Sequence, residues 1–226
     1  MRAVEALRCL ARGERPADAI LPPCRLQGLG VEVFGEEAIL HQFRTEPIPG
    51  MKDASVVQAE GHAALFTDDA ALFADLYGQR IAHIWRLGAG KPREAEPAIG
   101  VAFDTDLVQS RRDVALRAED HPQLAPDALA AVTAIGRDIA HGWLPEQGLP
   151  NWRTRPFLLR AFSTGDAGAA LFAVHRLGSG SVRTAGFAHV AAHFTVAEGR
   201  LAAFQIVRDL AGERAVGEAA WRPIIA

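Results

Sequence analysis

The chain has 226 residues, 49% of them hydrophobic and 23% charged, with a net charge of −3. Its apolar share suffices for a buried core, and its length fits one large domain or two small ones. Interspersed charge leaves no basic footprint for nucleic acid, no apolar run is long enough to cross a membrane, and the polar N-terminus does not read as a signal peptide, so a cytoplasmic protein is expected.

Residues 3–12 read as a short helix, with Val4, Leu7 and Leu10 at helical spacing and Gly13 placed to end it. Pro16, Pro22 and Pro23 interrupt the chain, and short strands at Arg25–Gln27 and Val31–Phe34 flank Gly28-Leu29-Gly30. An amphipathic helix over 36–46 buries Ile39, Leu40 and Phe43 and stops at Pro47. Strands at Ser55–Glu60, Ala63–Thr67, Ala70–Tyr77 and Arg80–Leu87 follow, separated by turns at Gly61, Asp68-Asp69 and Gly78-Gln79. Pairing about Gly78-Gln79 sets Tyr77 opposite Arg80, Asp75 opposite Ala82 and Phe73 opposite Ile84. His83, Trp85 and Leu87 then share one sheet face with Leu72 and Ala74, while Asp75, Tyr77 and Arg86 lie on the other.

Residues 88–97 (GAGKPREAEP) read as a linker, dividing the chain into units 1–95 and 96–226. A strand at Ile99–Phe103, a helix over 106–119 and a stronger helix over 127–143 come next. The latter carries Leu129, Val132, Ile135 and Ile139 on one stripe behind Pro126. Residues 144–156 are irregular, and four strands close the pattern at Phe157–Ser163, Ala169–Leu177, Val182–Val196 and Arg200–Arg208.

A strand phrase occurs twice, as GHAALFTDDAALFADLYGQRIAHIWRLG at 61–88 and as GAALFAVHRLGSGSVRTAGFAHVAAHFTVAEGRLAAFQIVR at 168–208. Laid together at their last strands, Arg80-Ile81-Ala82 matches Arg200-Leu201-Ala202, which points to a duplicated unit. The chemistry is not repeated: His83 falls on Ala203 and Trp85 on Gln205. A single pocket would therefore belong to one half, and the first is the better candidate.

The stretch GLGVEVFGEEAILHQFR (28–44), followed by strands ending in GQRIAHIWRLG, resembles the nuclear transport factor 2-like superfamily, and most of all its small polyketide-cyclase-like (SnoaL-like) members. The resemblance covers residues 1–88 well and 127–208 more loosely. It implies an α+β fold in which a curved antiparallel sheet wraps around helices as a cystatin-like cone, here duplicated. Two such units would pack sheet to sheet as a homodimer or an internal pseudo-dimer. The family reaches from isomerases, cyclases and dehydratases to carriers and association domains, so the resemblance leaves enzyme activity open. It implies an apolar small-molecule pocket, acid–base chemistry there and no cofactor; the alternative is a non-catalytic interaction or scaffold module with filled cones.

His83, mid-strand among apolar neighbours, is the leading candidate for proton transfer, with Trp85 beside it as a ligand contact. Asp75 and Tyr77, as acid–base group and ligand contact, form a competing site on the opposite face, and the plainer reading of Asp75 is a cross-strand ion pair with Arg86. His189 and His193 share a strand face, but four residues span roughly 13 Å, too far for one metal. His175, set opposite Thr184, points away from them. His41 and His62 are expected on exposed surface, His141 towards the polar side of its helix, and Asp68-Asp69 in a turn rather than a calcium loop. Cys9 and Cys24 fit a reducing compartment and have no metal-binding spacing. No metal site is expected.

Overall fold

A computed structural model describes residues 2–29, 31–88, 101–102, 124–142, 153–177 and 184–209. The predicted helix over 106–119, the linker, the irregular segment up to residue 152 and the C-terminal tail lie outside the described residues.

Helix α1 (Arg2–Ala11) is followed by strands β1 (Ile20–Gly28) and β2 (Val31–Phe34), helix α2 (Glu36–Thr45), and strands β3 (Ser55–Ala59), β4 (His62–Phe66), β5 (Ala70–Tyr77) and β6 (Arg80–Gly88). A two-residue strand, β7 (Val101–Ala102), and helix α3 (Pro126–Gly142) lead into β8 (Arg153–Thr164), β9 (Ala167–Leu177), β10 (Thr184–Ala197) and β11 (Arg200–Arg208). The fold is α+β, with two sheets.

The first sheet has the order β2-β1-β6-β5-β4-β3. It is mixed rather than wholly antiparallel, because β1 lies parallel to β6. The Pro22-Pro23 step does not end β1; it interrupts the ladder to β6 between Ile20 and Arg25, and pairing resumes at Arg25↔His83. Gly28 ends β1 at φ 131°, and a Cβ there would sit 1.8 Å from the Arg86 carbonyl oxygen, so two backbones meet where no side chain fits. The second sheet, β11-β10-β9-β8, is antiparallel, with β7 paired to the start of β10.

Four layers result. On one outer side, α1 and α2 press Leu7, Leu10, Ile39, Leu40 and Phe43 onto Leu26, Leu65, Leu72 and Ile84 of the first sheet. On the other, α3 covers the second sheet with Val132, Ile135 and Ile139 against Phe172, Val190 and Phe194. Between the sheets lies a third apolar layer, including Phe66, Phe73, Trp85, Leu87, Phe162 and Leu171. Strands of the two sheets cross steeply. On β11, Gln205 bonds the Thr67 carbonyl beyond β4, while Asp209, just past its end, bonds the Leu29 amide beyond β1. Four residues cover roughly 13 Å, close to the three strand spacings between β4 and β1, so β11 runs across the first sheet rather than along it.

Gly168 on β9 faces the Phe194 ring directly: a Cβ there would lie 2.1 Å from it. Gly168→Ala should therefore cost about 2 kcal/mol through overpacking, read by urea denaturation, and Gly168→Ala/Phe194→Leu should recover part of the loss. A neutral Gly168→Ala would show that the ring has room to retreat.

Candidate functional site at the seam between the sheets

The turn Gly78-Gln79 forms as expected, with Tyr77 opposite Arg80 and Leu76 opposite Ile81. Beyond that the expected register fails. Ala82 is an extra residue, so Asp75 pairs with His83 and Phe73 with Trp85. A one-residue insertion flips every later side chain to the other face. His83, Trp85 and Leu87 therefore share the inter-sheet face with Asp75, and the two sites that the sequence set on opposite faces are one. Arg86 moves the other way, against α2, where its guanidinium donates to the Glu46 carbonyl at 2.6 Å and stacks over Phe43 at 5.1 Å. It cannot reach Asp75; it satisfies the C-terminal end of α2 instead.

A second bulge does the same in the other sheet. Leu158 pairs with Phe172 and Arg160 with Leu171, leaving Leu159 unpaired. Leu158 packs towards α3, and Arg160 turns into the seam. There its guanidinium makes two bonds to the Asp75 carboxylate, Nε to Oδ1 at 2.8 Å and Nη2 to Oδ2 at 2.7 Å. His62, opposite Asp75 on β4, places Nδ1 3.1 Å from Oδ1. Burial alone would raise the Asp75 carboxyl, but the bonds and charges of His62 and Arg160 outweigh it and bring the pKa down to about 2. An ionised carboxylate only accepts, so His62 Nδ1–H donates this hydrogen bond and the ring is oriented by it. The His62 ring stacks on Phe162 of the second sheet at 5.3 Å.

The His83 ring lies against Trp85, tilted by 32° with ring centroids 3.6 Å apart, and the Arg160 guanidinium lies 5.2 Å over the Trp85 ring. Burial lowers the His83 pKa to about 4; Asp75 opposes this, and Arg25, Arg160 and His189 reinforce it. Burial, with Arg25, also brings His189 to about 4, and burial lowers His193, which rests on Phe66 at 5.2 Å. His189 and His193 share the seam face as expected, opposite Ala173 and Ala169. The register of that hairpin differs from the expected one: His175 lies opposite Phe187, not Thr184.

Of the residues singled out in the sequence, Asp75, His83 and Trp85 come together. Tyr77 does not join them. It is 77% exposed and lines a shallow surface depression of about 780 Å³ between the Gly61 and Gly78 turns. Sequence reasoning missed His62, which starts a strand instead of lying free in a turn, and Arg160. The one signal for Arg160 was a cation inside the apolar run Phe157–Phe162. Among the described residues no cluster could hold a metal ion, and no helix is long and apolar enough to cross a membrane. On the helix side of the first sheet, a crevice of about 10 Å³ beside Gly28, Gln42 and Arg86 has room for about one water molecule.

Comparison with known proteins gives no match to a family model, a curated protein or a solved structure. The chemistry of the seam carries the functional argument alone. It offers a fixed ion pair, an imidazole oriented by that carboxylate, and a second imidazole held neutral beside an indole N–H.

Proposed function

We propose that this chain is a cytoplasmic small-molecule-binding protein of the SnoaL-like type, built as two related cystatin-like units packed sheet on sheet, with its site in the seam between them. The observation that carries this reading is the pair of β-bulges at Ala82 and Leu159, which turn His83 and Arg160 into an otherwise apolar layer beside Asp75, His62 and Trp85. Bulges of this kind re-aim side chains beside active sites. A polar group in an apolar layer costs stability unless something repays it.

Proton transfer in this site falls to His62. Asp75 is too weak a base at a pKa of about 2, and its part is to hold the His62 ring in one tautomer. Cyclisation, isomerisation and dehydration can each proceed through proton removal by such an oriented base. A second reading, a scaffold with filled cones, has its own support: Leu7, Leu10, Ile39, Leu40 and Phe43 close the helix-covered face of the first sheet with no exposed area.

One comparison separates the two. Native mass spectrometry of the purified protein should show a co-purifying small molecule, and His83→Ala should abolish that adduct while lowering the melting temperature by only about 2–4 °C. A large loss of stability with no adduct in either protein would mark His83 as structural and favour the scaffold.

A further inference from the structure

Each half of this chain closes a core of its own. Leu7, Leu40 and Phe43 are fully buried between the first two helices and the first sheet, and Val132, Ile135 and Phe172 between α3 and the second. The layer between the sheets differs in kind. Its apolar side chains are interleaved with His62 and His83 from the first sheet, with His189 and His193 from the second, and with the Asp75–Arg160 ion pair. Imidazoles serve as packing surfaces across this joint: His62 lies on Phe162, and Phe66 on His193. A layer that carries polar groups between two self-contained cores is where a chain opens sub-globally.

At neutral pH the charges of the layer balance. Asp75 is matched by Arg160, and Arg25, opposite His83 on β1, by Glu32 on β2. The Asp209 carboxylate, just past β11, bonds the Leu29 amide. His83 and His189 are neutral there, since burial brings both rings to a pKa of about 4. Protonation would place like charges on opposite sides of the seam, near enough to interact, while Asp75 and Glu32 are each already held by an arginine. A protonated ring also donates from both nitrogens, and the buried His83 Nε2 meets no acceptor among the described residues. His193 faces Phe66, Gln205 and Ala169, none of them charged. His62 keeps Asp75 as its hydrogen-bond partner and is not part of the trigger.

We propose that the seam is an acid-opened joint: charging His83 and His189 parts the two sheets while each half keeps its helix-covered core. Parting lets water reach both imidazoles. Until then the Asp75–Arg160 pair and the bonds from Thr164 and Gln205 to the first sheet hold the joint closed. The proposal concerns the chain alone and stands whether or not the seam holds a ligand. Each ring that must take up a proton raises the ratio of open to closed chain about tenfold per pH unit between 6.5 and 4, so two raise it about a hundredfold.

Nuclear Overhauser spectra of the intact labelled chain between pH 7.5 and 4.5 test it. The cross-seam contacts, His62 to Phe162 and Phe66 to His193, are expected to disappear by pH 4.5. Contacts of α2 with the first sheet and of α3 with the second should persist, with far-UV circular dichroism unchanged. The radius of gyration from small-angle scattering should rise over the same range. His189→Gln and His83→Gln should each lower the pH of half-opening by about one unit, because one proton fewer drives it. Three results would each overturn the proposal: cross-seam contacts that persist at pH 4.5, loss of every contact and of the far-UV signal in one transition, or a half-opening pH that neither substitution moves. The titration of the unsubstituted chain decides by itself where a variant fails to fold.

Discussion

Acidification should destabilise this protein well above the pH at which its carboxylates titrate. His83 and His189 have pKa values of about 4 in the folded chain, against 6.5 when unfolded. As pH falls below 6.5 the unfolded chain takes up protons that the folded seam refuses, so stability drops from there and levels off below pH 4. His189 contributes about 3 kcal/mol of that loss, at about 1.4 kcal/mol per pH unit. His83, half-buried and faced by the Asp75 carboxylate, contributes about half as much after discount for solvent screening. A second, smaller limb comes from Asp75: its folded pKa of about 2 lies below the unfolded 3.8, so the stability it adds is full above 3.8 and lost as pH falls towards 2. Urea denaturation from pH 7.5 to 3 should resolve both limbs, and His189→Gln should flatten the upper one. A stability that stays constant from pH 7 to 4.5 would mean that both imidazoles are solvated.

The second large effect is expected at Arg160. Arg160→Met removes both bonds to Asp75 and leaves that carboxylate in an apolar layer with His62 alone. Breaking a fully buried pair from one side costs about 3–5 kcal/mol; with the Arg160 side chain 37% exposed, about 2–3 kcal/mol is the expectation. Asp75→Asn in the Arg160→Met background should restore part of it, because no unpaired charge is then left. A double-mutant cycle should give a coupling energy of about 1–2 kcal/mol, and coupling near zero would make the pair an incidental surface contact. The Asp75 pKa offers an independent readout: it should rise in Arg160→Met, since a partner that lowers it has gone.

The same bridge joins a strand of the first sheet to a strand of the second, and Thr164 and Gln205 add bonds to backbone carbonyls at Gln58 and Thr67. Stability and any ligand chemistry are therefore tied to one seam. A variant that loosens it, such as Arg160→Met, should alter ligand retention and melting temperature together, unlike His83→Ala.

Local pattern determined much of this protein by itself. Helical spacing at Val4, Leu7 and Leu10 and at Ile39, Leu40 and Phe43 placed the first two helices, and the glycine turns at 61 and 78 placed the hairpins of the first sheet, because these signals act within a few residues. Asp75, His83 and Trp85 could be picked out as polar or amphipathic groups on apolar strands.

What they do together was decided only by tertiary structure. An alternating pattern read outward from a turn assumes an unbroken ladder, and a bulge at Ala82 leaves no mark in that pattern while reversing every face beyond it. Arg160 lies 85 positions from Asp75, and its own face is set by another bulge, so no local rule could join them. The parallel β1–β6 pairing closes across the whole first unit and is likewise non-local. Sheet-on-sheet packing then turned scattered strand residues into one buried, charged seam, because the layer that excludes water from Phe73 and Phe162 also encloses the polar groups beside them.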